Sequence, residues 1–252
     1  GRAAERLGFT QSAISQQIAG LERAVGDRVF DRPGGPRRVE LTPTGSLLLE
    51  YADSLLAGNG YGYFLEDPVT VWPPVWPSLM ALVAKLTPLD TLGAAIVLNA
   101  AVAAGVVVVG NRLLRRVVTD PRLVLAGTAV LALGPATIGL GHVLMTDMAF
   151  ALVMMLWMLT LIRFRRTGSL PLLVGAALWA WAGFGLRYIG LVLIAFGGRW
   201  LLLDGRRSLA VRFRNGVLYG VVAALAPVAW MLRNHSIDGT FTGERNPSAR
   251  GL

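Results

Sequence analysis

The 252-residue chain has no cysteine, one lysine and two histidines, and only 15% of its residues are charged. Without thiols it has no disulfide, no thiolate metal site and no cysteine nucleophile. His142 and His235 alone give no histidine-rich metal cluster, and no cofactor is expected. Soluble domains carry about a quarter charged residues. The low charge, with 54% apolar residues and a mean hydropathy of +0.56, argues against an ordinary soluble enzyme.

What charge there is divides unevenly. Residues 1–58 hold seven arginines and seven acids and are net neutral. Residues 59–252 hold 17 basic and eight acidic residues, which accounts for the whole formal charge of +9. The apolar runs lie in the same second part. The chain therefore reads as two unlike pieces, 1–58 and 59–252, joined near residue 58.

The first piece has the pattern of a small DNA-binding domain. Arg2–Leu7 is a helical fragment, Gly8-Phe9 a tight turn and Thr10 an N-cap, followed by a helix over Gln11–Val25. Ile14, Ile18, Leu21 and Val25 recur at helical spacing, leaving Ser12, Ser15, Gln16 and Gln17 on other faces. Two extended arms, 28–32 and 37–41, flank the tip Pro33-Gly34-Gly35-Pro36 as a β-hairpin wing. Thr42-Pro43 then opens a helix through Leu56, with Thr as cap and Pro at the first helical position.

The stretch RAAERLGFTQSAISQQIAGLERAVGDRVFDR, with RRVELTPTGSLLLEYA after the tip, resembles the winged helix-turn-helix of LysR-type transcriptional regulators across residues 2–57. The resemblance implies that the second helix enters the major groove of double-stranded DNA. Gln11, Ser12, Ser15 and Gln16 would then face bases, and Arg32, Arg37 and Arg38 would face phosphates. The chemistry agrees, because amides and hydroxyls pair with base edges and guanidinium with phosphate. It further implies a homodimer through helix 43–57. The family's first helix and its effector-binding domain are expected to be absent.

The second piece reads as membrane-embedded. Six apolar stretches, about 91–110, 123–142, 147–162, 170–186, 188–203 and 215–232, are candidate spans. A single span over 170–203 would be about 50 Å long at 1.5 Å per residue, too long for a bilayer, so a turn is expected near Gly185–Arg187. The alternate loops carry Arg112, Arg115, Arg116 and Arg122; Arg163, Arg165 and Arg166; and Arg206, Arg207, Arg212 and Arg214. By the positive-inside rule these loops face the cytoplasm. The opposite side would hold Glu66, Asp67, Trp72, Trp76, His142, Asp147, Arg187, Tyr188, Arg233, Asn234 and Arg245. Several have a plain structural reading beside a functional one: an N-cap for Asp147, snorkelling for Arg187, an aromatic belt for Trp72 and Trp76.

The segments GNGYGYFLEDPVTVWPPVWPSLMAL, TDMAFAL, GFGLRYIGLVLI and WMLRNHSIDGTFTGERNPS, in that order, resemble polytopic glycosyltransferases of the GT-C class, which use polyprenyl-phosphate sugars. The resemblance implies lipid-phosphate binding by Arg187 and Arg233, and makes Asp147 the single candidate for a catalytic role. The family's acid-bearing loop, expected before Gly58–Tyr63, is replaced here by the LysR-like helix, so no glycosyltransferase activity and no metal site are expected.

The expected fold is thus mainly α: a small winged helix-turn-helix fused to a polytopic membrane bundle of about six spans in the bacterial inner membrane. The expected function is LysR-type transcription regulation. The alternatives are a membrane glycosyltransferase with a polyprenyl-phosphate donor and a membrane-embedded one-component transcription factor. One conflict stands: the positive-inside reading puts everything before residue 91 outside, whereas DNA is inside.

Overall fold

A computed structural model describes residues 43–63, 67–70, 72–134 and 146–243. The chain parts into two compact units, 1–41 and 42–252, and all described residues belong to the second. The helix-turn-helix and the wing, with Gln11, Ser12, Ser15, Gln16, Arg32, Arg37 and Arg38, lie outside the described residues, as do Glu66, His142 and Arg245.

The described part is mainly α-helical. In chain order it contains α1 (Pro43–Leu56), β1 (Gly62–Tyr63), β2 (Asp67–Pro68), α2 (Val75–Leu86), α3 (Thr91–Val117) and α4 (Pro121–Leu133). Then follow α5 (Asp147–Thr167), α6 (Leu170–Leu186), a 3₁₀ turn at Tyr188–Gly190, α7 (Leu191–Leu202) and α8 (Leu209–Asp238). The two short strands pair antiparallel, Gly62 with Pro68 and Tyr63 with Asp67.

Local chemistry sets several boundaries. Asp90 caps α3 by accepting a hydrogen bond from Gly93 N at 2.7 Å, and Arg115 and Arg116 sit in its last turn, where cations suit the helix dipole. Asp120 caps α4 from Arg122 N at 2.8 Å, with Pro121 just inside. Gly168 (φ 70°) and Gly239 (φ 76°) end α5 and α8 in the left-handed region open to glycine. The chain turns between α6 and α7 where expected. Arg187 is extended, and Gly190 packs so closely on Gly183 that a side chain there would strike its backbone.

Two clusters form the interior. One joins Leu48, Leu49 and Ala52 of α1 to Trp76, Met80 and Ala81 of α2, with Ala95, Ala149 and Leu186 from the first or last turns of α3, α5 and α6. Trp76 is therefore core, 1% exposed, and not part of an aromatic belt; Trp72 is 42% exposed. The second cluster packs Leu173, Ala176, Ala177 and Ala180 of α6 against Leu161 and Phe164 of α5, Leu193 and Leu201 of α7, and Tyr219 and Ala223 of α8. The alanine face of α6 lets these helices approach closely.

Three described helices, α3, α5 and α8, are long and apolar enough to cross a membrane, against six expected spans. In α4, α6 and α7 the helical runs are 13, 17 and 12 residues, and the segment following α4 lies outside the described residues. Only 28% of the most apolar window of each long helix is buried. Ile96, Val97, Val108, Leu225, Val228 and Leu232 are exposed on these helices.

Candidate functional site

At one end of the bundle, residues distant in sequence converge. α5 begins there with Asp147, α6 ends there before Arg187, and the last turns of α8 bring Trp230, Arg233 and Asn234. Val69, Thr70 and Trp72 form a strap across them. Tyr188 Oη and Asn234 Nδ2 both donate to Thr70 O, each at 2.9 Å, and Arg233 Nη1 donates to Val69 O at 3.0 Å. Trp230 Nε1 donates to Tyr188 Oη at 2.9 Å, and Tyr61 Oη donates to Trp72 O at 3.1 Å. Two carbonyls with no strand partner thus find donors, as buried backbone must.

Asp147 and Arg187 form an ion pair, each about 40% exposed. They line a cavity of about 440 Å³ whose other walls include Trp72, Phe150 and Tyr188. A second cavity of about 270 Å³, mostly apolar, lies between Trp181, Phe184, Ala226 and Trp230, with Arg233 at its edge. The Arg233 guanidinium stands 4.7 Å from the Trp230 ring centroid, a cation–π distance.

The sequence placed Asp147, Arg187 and Arg233 on one side of the bundle, near the rim of one cavity. The structure joins the first two and gives Arg233 different neighbours. Asp147 is not the cap of α5: Thr146 holds that position, and the Asp147 carboxylate in the first turn meets Arg187 instead. The pair is neutral overall, so Arg187 presents to an anion only the donors that Asp147 leaves unused. Among the described residues no three His, Cys, Asp or Glu side chains gather to hold a metal. The strap residues Tyr61, Thr70 and Trp230 carried no signal of their own. The one available hint was helical spacing, since Trp230 and Asn234 are four residues apart and share a face of α8.

Comparison with known proteins identifies the other end of the chain. Residues 1–46 match the family described as "Bacterial regulatory helix-turn-helix protein, lysR family". The match supports a LysR-type helix-turn-helix domain at the N-terminus. The chain is 48% identical over 58 residues to the "SDS degradation transcriptional activation protein" of Pseudomonas sp. (strain ATCC 19151), covering 23% of this chain and 18% of that protein. It is 37% identical over 106 residues to the "Probable hydrogen peroxide-inducible genes activator" of Mycobacterium xenopi, covering 36% and 55%. It is 46% identical over 57 residues to the "HTH-type transcriptional regulator HdfR" of Yersinia enterocolitica serotype O:8 / biotype 1B (strain NCTC 13174 / 8081), covering 23% and 19%. The matches thus span about a fifth of two of these relatives and about half of the third. No solved structure matches the chain.

Proposed function

We propose that this chain is a DNA-binding transcription regulator of LysR type whose downstream residues form a multi-pass bundle in the bacterial inner membrane. The observation that carries the first part is the family match over residues 1–46, which contains every polar position expected to meet DNA. In this reading Gln11, Ser12, Ser15 and Gln16 contact base edges, and Arg32, Arg37 and Arg38 hold phosphates. A homodimer through helix 43–57 has to contend with packing inside one chain, because Leu48, Leu49 and Ala52 already meet α2. The second part is supported by the length and composition of α3, α5 and α8 and by the arginines between alternate apolar helices.

Two measurements test it. In gel-shift titrations the full chain in detergent binds its own upstream DNA more tightly than random duplex; equal binding overturns the regulator reading. Reporter fusions after Arg116, Arg166 and Arg207 give cytoplasmic signals, and fusions after Asn234 give the opposite. With α3 crossing once, the same topology puts a reporter ahead of Gln11 outside; a cytoplasmic signal there, which regulation requires, overturns this orientation or the single crossing by α3.

The Asp147–Arg187 pair and its cavity favour a second reading for the membrane part, a site resembling that of GT-C glycosyltransferases that binds a polyprenyl phosphate through Arg187 or Arg233. Without the family's acid-bearing loop, this site binds lipid and does not transfer sugar. Sugar transfer abolished by Asp147→Asn would overturn that restriction.

A further inference from the structure

We propose that the turns α5–α6 and α7–α8 together form a docking surface for the headgroups of anionic phospholipids. The inference rests on the membrane reading above and adds a specific lipid partner at the end of the bundle opposite Asp147 and Arg187.

The two turns are fastened to each other. Asp204, 7% exposed, lies between Arg207 Nε at 3.4 Å and Arg165 Nε at 3.9 Å. The Arg207 guanidinium stacks 5.1 Å over Phe164 and lies beside Gly168, and that of Arg165 lies 5.4 Å over Trp200. Arg212 donates to Arg207 O at 2.9 Å. Three arginines thus serve the fold, and Asp204 is the only acid between residues 148 and 237.

Among the described residues the remaining cations of these turns meet no acid. Arg163, Arg166, Arg199 and Arg206 are exposed and have no side-chain partner among the described residues, and Arg214 reaches only the Asn215 amide at 3.3 Å. Beside them Phe196, Leu202, Leu203, Leu209 and Phe213 are also exposed. Cations set against open apolar surface match an anion that carries its own apolar tail. Arginines at the ends of apolar helices lie at headgroup depth, where anionic lipids attract them. Guanidinium groups pair with phosphate oxygens in a planar fork. Duplex DNA offers phosphates but nothing to cover the leucines and phenylalanines.

The test uses the full chain purified in detergent, with fluorescent phosphatidylglycerol and phosphatidylcholine of equal chain length as probes. Phosphatidylglycerol binds roughly tenfold more tightly. Combined Arg163→Gln, Arg166→Gln and Arg206→Gln substitution brings the two affinities together, while lysine at the same positions keeps the preference. If the triple glutamine variant does not fold, Arg206→Gln alone, on an exposed turn, lowers the preference by itself. Equal binding of both lipids by the natural chain overturns the proposal, and so does a preference that survives the glutamine substitutions. Displacement of phosphatidylglycerol by random duplex DNA assigns the surface to nucleic acid instead, and displacement by inorganic phosphate reduces it to a general anion site. A chain that stays in the supernatant of phosphatidylcholine and mixed vesicles alike refutes the membrane reading itself. Insertion into both without lipid preference refutes only this inference.

Discussion

The Thr91 hydroxyl in the first turn of α3 donates a hydrogen bond of 2.7 Å to the Asp53 carboxylate near the end of α1. By sequence, α1 continues the LysR-like motif; by packing, it belongs with the apolar helices that follow. The first prediction concerns this joint. In a double-mutant cycle of Asp53→Ala and Thr91→Ala, the coupling energy is about 1 kcal/mol. Unfolding of the purified chain in detergent measures it, and independent effects of the two substitutions would contradict the joint.

The second prediction concerns the centre of the bundle. Tyr219 Oη donates to Leu193 O at 2.8 Å and accepts from Trp157 Nε1 at 2.9 Å, and an added methyl at Gly197 would collide with the Tyr219 ring. Tyr219→Phe removes both bonds, leaving the part-buried Trp157 Nε1 without this acceptor, and lowers stability by about 1–3 kcal/mol. Gly197→Ala overpacks the same contact and lowers it by a similar ~1–3 kcal/mol. Thermal unfolding checks both. A neutral Gly197→Ala would show that α7 and α8 lie further apart.

The third prediction separates base reading from phosphate contact. Gln11→Ala or Ser15→Ala reduces discrimination between operator and random DNA by about 1–3 kcal/mol per lost contact. Arg37→Gln weakens binding to all sequences and lowers the salt slope by about one. Competition binding across a salt series tells the two classes apart. An Arg37 effect confined to one sequence would reverse its role.

The fourth prediction uses the ion pair. Because Asp147 and Arg187 are both half-exposed, removing the pair changes stability by less than about 1 kcal/mol. Its effect on ligands is larger. Asp147→Asn releases Arg187 and strengthens binding of a polyprenyl phosphate, while Arg187→Gln weakens it. Binding assays in detergent decide, and weaker binding by Asp147→Asn would place the carboxylate in the site as a direct contact.

Several features were legible from residue pattern because their causes are local. The break at Arg187 and the start of α1 at Pro43 depend on neighbours a few positions away. For α3, α5 and α8 the reading stopped short of the fold, because apolarity marks the part suited to hydrocarbon and not the whole helix. α3 runs on to Val117, with Asn111 bonded to Thr128 and Arg115, and α8 extends at both ends past charged residues. Trp76 and Trp72 look alike in sequence, yet one is core and the other surface, a difference made by α1 packing on α2. The strap was illegible for the same reason: its donors and acceptors meet only through tertiary structure.

That strap also sets an order of assembly. The carbonyls of Val69 and Thr70 receive their α8 donors from Arg233 and Asn234, each 164 residues later. During synthesis these two carbonyls therefore wait for their α8 donors until Arg233 and Asn234 have left the ribosome. A part of this unit made before most of its helices is completed only with its last described helix, and a nascent chain halted before Trp230 lacks the α8 groups that fasten Val69 and Thr70.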